Sequence, residues 1–158
     1  MDKQVHLKKP TKERKNNRVQ KFCHLSTSEY MQHLGSYYIN NPSDICSFII
    51  RELIKKQNSY KKQDETKQKY NPQTFITLDE IIEKLLTSKM LCYYCRKEVC
   101  IFYDKIRQSN QWTLERIDNM IGHSCENTVI SCLDCNLKRR TSNSDAFCFA
   151  KQLVIKKV

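Results

Sequence analysis

The clearest pattern in this chain is a run of apolar residues at helical spacing: Leu78, Ile81, Ile82, Leu85 and Leu86. They occupy positions i, i+3, i+4, i+7 and i+8 of one helix face. Thr77 and Glu80 precede them as a capping box, a Thr side chain and a Glu side chain that satisfy each other's backbone N–H groups. Ser26 and Glu29 repeat that signature and predict a helix through about Tyr38. Asn40-Asn41-Pro42 then interrupts the chain. Ser43 is placed to cap a second helix, with Ile45, Phe48, Ile49, Glu52 and Leu53 marking a face that packs most simply on the first. From Lys55 to Lys69 apolar residues nearly vanish, which fits either a frayed helix end or a linker. A boundary is expected near residue 70, at Tyr70-Asn71-Pro72.

Beyond Leu86 the elements shorten. Glu98 to Tyr103 and Gln111 to Ile117 are strand candidates, and Thr128 to Ser131 is a short apolar stretch. Asp118 to Asn127 reads as a loop containing Gly122, a residue able to take a positive φ. A helix is expected from about Cys135, and a last one over Asp145–Ile155, capped by Ser144 and packing Phe147, Phe149 and Leu153. The fold class is therefore α+β: a helical N-terminal region, residues 22–70, followed by a small mixed domain over residues 71–158.

Charge adds a partner to this picture. The 158 residues suit one domain, or one small domain with an appendage. A net charge of +11 and a pI near 9.3 point to a polyanion. Nucleic acid is the leading candidate, DNA before RNA. No apolar run is long enough to span a membrane and no secretory signal opens the chain, so an intracellular, reducing compartment (cytoplasm or nucleus) is expected. Residues 1–21 hold eight cationic residues against two acids. Pro10, Asn16 and Asn17 disfavour a continuous helix there, leaving a solvated disordered tail, a phosphate-tracking arm or an import signal. The helical region 22–70 has no assigned role; a homodimer or a protein partner docking through it fits the sequence.

Nine cysteines sharpen the chemistry. Their odd number argues against a disulfide framework, and four of them form two knuckles, Cys92-x-x-Cys95 and Cys132-x-x-Cys135. Each knuckle sets two thiolates on one side of an ion, and two knuckles complete the tetrahedron that Zn²⁺ prefers. Four protein thiolates leave no open position for water, so the site is expected to be structural. Cys23, Cys46, Cys100, Cys125 and Cys148 have no partner at ligand spacing and read as small apolar residues.

The segment between the knuckles carries a resemblance. Leu114-Glu-Arg-Ile-Asp-Asn119, Gly122-His123, Glu126-Asn127 and Cys132-x-x-Cys135-Asn136-x-Lys138 are similar to an HNH endonuclease of the ββα-metal (His-Me finger) superfamily. The branch is one whose first motif reads Asp/Glu-Arg-Ile-Asp in place of Asp-His. The likeness covers about residues 90–141. It implies a β-hairpin and a helix that cradle one divalent cation, Mg²⁺ or Mn²⁺, over the scissile phosphate. Carried over, Glu115 becomes the acidic ligand, with Asp118 as the competing choice, and Asn136 the helix ligand. Alone, Asn136 reads equally as a helix cap. Asn127 fixes the loop, and Lys138, Arg139 and Arg140 lie where phosphate would be gripped.

Arg116 departs from the family pattern. It stands where the general-base His usually does, and a guanidinium cannot take a proton from water. His123 and Asp118 are the alternative bases, and Arg116 itself is placed as a phosphate clamp. Two functions follow: a metal-dependent endonuclease acting on phosphodiesters, or a zinc-containing nucleic-acid-binding protein with a degenerate, non-catalytic HNH domain. A zinc-stapled protein-interaction module ranks third, because it leaves the charge unexplained.

Overall fold

A computed structural model describes residues 17–39 and 42–153. Most of the basic arm, the Asn40–Asn41 break and Ile155 fall outside that range. The order is α1 (Asn17–Gln20), α2 (Thr27–Gly35) ending in a 3₁₀ turn (Ser36–Tyr38), α3 (Asp44–Thr66) and α4 (Leu78–Thr87). Then come β1 (Trp112–Arg116), β2 (Thr128–Cys132), α5 (Leu133–Arg139) and α6 (Ser144–Gln152). The fold is α+β, with helices ahead of a hairpin and a small ββα-like region beside a cysteine cluster. Among the described residues no helix is long and apolar enough to cross a membrane.

The helix starts are where the polar signals put them. Ser26 Oγ accepts from Glu29 N at 3.3 Å while Glu29 Oε2 accepts from Ser26 N at 2.7 Å. Thr77 and Glu80 do the same at 3.3 and 2.7 Å. Ser43 Oγ accepts from Cys46 N at 3.2 Å. Each cap is worth on the order of 1 kcal/mol. Their main effect is to fix where each helix starts.

The polar stretch after Lys55 is neither a linker nor frayed, because α3 runs on to Thr66. Its buried side is Cys46, Ile49, Leu53, Tyr60 and Asp64. The last two continue the stripe at helical spacing with side chains that a hydropathy reading counts as polar. Tyr60 Oη accepts from Leu114 N at 2.9 Å, tying α3 to β1. One apolar cluster joins Leu34, Ile49 and Leu53 to Ile81, Leu85, Trp112, Leu114 and Ile130, so the core runs unbroken past residue 70.

The strand expected over Glu98–Tyr103 reduces to two isolated bridges, Leu91 with Glu98 and Cys100 with Gln111. The next donors leave the ladder: Phe102 N donates to Tyr30 Oη at 3.0 Å. Gly122 does not take a positive φ. It is glycine for space, since a Cβ there would lie 2.4 Å from Lys69 O and 2.9 Å from Asp64 Oδ2. The cap of α6 is Asn143, whose Oδ1 accepts from Ala146 N at 3.0 Å. Ser144 is instead buried, its Oγ 3.1 Å from Tyr94 Oη. Phe147 packs edge-on against Tyr94, whereas Phe149 and Leu153 are exposed.

Candidate metal centre

The two strands are antiparallel, with Trp112 opposite Cys132 at one end and Arg116 opposite Thr128 at the other. Each end of this hairpin holds one set of the residues that the sequence singled out.

The first knuckle is a tight turn. Cys92 N donates to Lys97 O at 2.9 Å, and Arg96 N donates to Cys92 O at 3.0 Å with Arg96 at φ 58°. Tyr93 N donates to Ile130 O at 2.8 Å, which anchors the turn to β2. The second knuckle is the junction of β2 and α5. Cys132 is the N-cap of α5, its sulfur accepting from Cys135 N at 3.4 Å. These two anchors bring the sulfurs of Cys92, Cys95, Cys132 and Cys135 within 4.8 Å of one another, with Cys95 and Cys132 at 3.9 Å. Tetrahedral Zn–S bonds of about 2.3 Å require S···S distances of about 3.8 Å, so the four thiols fit a structural zinc site.

The four thiols are electrostatically coupled. A hydrogen bond from Cys132 and the surrounding backbone N–H groups pull the Cys92 thiol down to about 4. The same pairing pushes Cys132 up, and burial pushes Cys135 up to about 12. One thiolate in the cluster suppresses ionisation of the next unless a cation compensates.

From the cysteine end toward the loop, α5 lies across the face of β1 that carries Thr113 and Glu115. Asn136 Nδ2 donates to Thr113 Oγ1 at 3.2 Å, and Arg139 Nε donates to Glu115 Oε1 at 2.7 Å. Residues i and i+3 of the helix thus meet residues i and i+2 of the strand. Burial pushes the Glu115 carboxyl up, and the Arg139 guanidinium 2.7 Å away pulls it partly back.

Arg139, expected to grip phosphate, is 1% exposed. It also donates to Ser142 O at 2.8 Å, Ile117 O at 3.3 Å and Arg116 O, locking the end of β1 to the end of α5. Asn136 does not cap α5, a place that Cys132 takes. Lys138 is exposed and paired with Asp134 at 2.9 Å, and Arg140 is exposed.

Asn127 gathers the loop. Its side chain accepts from Asp118 N at 2.9 Å and donates to Asp118 O at 2.9 Å and Gly122 O at 3.0 Å. Asp118 is exposed, with Oδ1 accepting from Met120 N at 2.8 Å. It is the sequence-predicted carboxylate that faces solvent.

His123 is buried, not a solvent-exposed loop residue. Its Nδ1 donates to Asp64 Oδ1 at 2.8 Å, its backbone N donates to Asp64 Oδ2 at 2.6 Å, and its ring lies 4.7 Å from Tyr60. Burial lowers the imidazole pKa below its usual value, against the pull of Asp64. Arg116 Nη1 stands 3.8 Å from Asp64 Oδ1 and donates to Ile121 O at 3.3 Å. The sequence brought His123 and Arg116 into view but missed Asp64, which α3 delivers from 59 positions away. The only local sign of Asp64 was its place on the stripe begun by Cys46, Ile49 and Leu53.

The chain matches no family model, no curated protein and no solved structure. The structure establishes a small α+β domain, with a hairpin flanked by helices and a four-cysteine cluster suited to zinc.

Proposed function

We propose that this chain is a zinc-stapled nucleic-acid-binding module built on a ββα-metal framework, with DNA as the first partner and RNA as the second. The observation that carries the reading is the Glu115–Arg139 pair at 2.7 Å. A carboxylate held by a buried guanidinium is a poor ligand for a divalent cation, because the metal must displace an arginine that has nowhere to go. With Arg116 in place of the usual base, the site lacks both a free acidic ligand and a proton acceptor on β1. The net charge of +11 supports a polyanionic partner. Zinc, when bound, supplies a closed cross-link between the two knuckles. This chain's cysteines fix its geometry, and the anchors to Ile130 and Cys135 orient them. Thiolate ligation of this kind belongs in a reducing compartment.

A second reading, a metal-dependent HNH-like endonuclease, is favoured by His123. An imidazole oriented by a carboxylate through Nδ1 is a usual arrangement for a general base. In that reading the exposed Asp118 carboxylate takes the place of Glu115 as the acidic ligand of Mg²⁺ or Mn²⁺. Supercoiled-plasmid nicking with either ion separates the two. Salt-sensitive binding without metal-dependent nicking is expected. Nicking that disappears in Asp118→Ala, His123→Gln or Asn136→Ala establishes the nuclease instead.

A further inference from the structure

The loop that closes the hairpin carries three large apolar side chains in five residues, and they point outward. Ile117, Met120 and Ile121 are 41%, 78% and 54% exposed. Scattered exposed apolar residues are ordinary, but three grouped on one turn are not. The turn is also held firmly. Asn127 binds it at three points, Lys69 Nζ donates to Asn119 O, and Asn119 Nδ2 donates to Arg140 O at 2.8 Å. The side chains are therefore presented on a fixed backbone, with no free loop to collapse inward.

Beside the turn lies a cavity of about 310 Å³, lined by Met120, Ile121, Phe75, Asn71, Thr74 and Gln68. That volume sits at the lower end of small-ligand cavities, roughly 300–1,000 Å³. Phe75 offers a half-buried aromatic ring, and Asn71, Thr74 and Gln68 offer amide and hydroxyl groups. Lys69 lines the same cavity, and Arg116 Nη1 donates to Ile121 O at 3.3 Å. The one carboxylate in the lining, Asp64, is 1% exposed and engaged by His123 and Arg116. Asp118, on the turn, has one oxygen on Met120 N.

We infer that this cavity receives a single unpaired nucleobase from a bound strand, with Met120 and Ile121 entering the gap left in the stack. The inference rests on the nucleic-acid-binding reading above and gives it a mode. Apolar wedges flanked by cations are a recurrent means of unstacking a base step, and an extruded base needs a stacking surface and polar edges to bind. Phe75 supplies the first and the amide and hydroxyl groups the second.

The test is fluorescence anisotropy with the full chain and three labelled probes of one sequence: a paired duplex, the same duplex with one mismatch, and the same duplex with one bulged nucleotide. A mispaired or bulged base costs less to unstack, so both should bind at least about tenfold more tightly than the paired duplex. Met120→Ser with Ile121→Ser should reduce that preference to within about twofold while leaving paired-duplex affinity within about threefold, since these side chains are exposed and the fold does not rest on them. Phe75→Leu keeps apolar volume, removes stacking and should likewise erase the preference. Equal affinity of the native chain for all three probes overturns the inference and leaves nucleic-acid binding standing. A preference that survives both variants moves the site elsewhere and also overturns it. Failure of every probe to bind overturns both readings.

Discussion

The two ends of the hairpin solve opposite electrostatic problems. At the Cys132 end, four thiols converge that cannot all ionise together, an arrangement suited to an added cation. At the Arg116 end, unlike groups converge and satisfy one another: Glu115 with Arg139, and Asp64 with His123 and Arg116. A cluster that is incomplete without a metal is a binding site. A cluster that is complete without one is a fastener. The hairpin thus carries at one end a four-cysteine cluster suited to an ion and at the other a set of protein groups that close on themselves.

The largest effect should come from breaking the metal end. Cys132→Ser removes a ligand while leaving an oxygen able to cap α5, so bound zinc should fall from about one per chain to none, with loss of cooperative unfolding. Retention of zinc measured by plasma mass spectrometry would show that the four thiols are not the ligand set. Chelation of the native protein should reproduce the variant.

Next comes the fastener. Arg139→Met leaves Glu115 buried and unpaired and should cost about 3–5 kcal/mol in denaturant unfolding. The double variant Glu115→Leu with Arg139→Met removes both charges and should recover most of that loss. If Arg139→Met costs nothing while Glu115→Gln abolishes a metal-dependent activity, Glu115 is a ligand after all and the contrast between the two ends collapses.

A smaller effect should appear with pH. The buried His123 imidazole is lowered below its unfolded value of about 6.5, so the unfolded chain binds the extra proton first. The native state is favoured fully above about pH 6.5 and loses ground as pH falls below it. His123→Phe should flatten that slope relative to the native chain; matching slopes would mean that His123 is not held neutral.

The smallest change is expected from Lys138→Ala. Lys138 is exposed and already paired with exposed Asp134, so thermal stability should not move measurably. The salt dependence of DNA binding should shallow by at most about one unit of slope. A marked loss of stability would place Lys138 in the fastener with Arg139.

Much of the fold was legible because its signals are local. The capping boxes at Ser26 and Thr77 and the cap at Ser43 depend on residues three apart, and so did the two knuckles. The expected strand at Glu98–Tyr103 was not formed, since Phe102 N finds Tyr30 Oη, 72 residues away, in preference to a neighbouring strand. The helix through residues 55–66 was hidden because its inward side is Tyr60 and Asp64, residues whose burial is justified by distant partners: Leu114 N, His123 and Arg116.

The sequence by itself determined the α+β class, the four cysteines and the family-like string from Glu115 to Lys138, because spacing along the chain suffices to specify a turn, a cap or a pair of ligands. Only the tertiary structure decided what the polar residues in that string do. Whether Glu115 meets a metal or Arg139, and whether His123 meets solvent or Asp64, depends on which element packs across each side chain. A charge takes its role from the partner that three-dimensional packing places within a few ångströms, and the chain order does not name that partner.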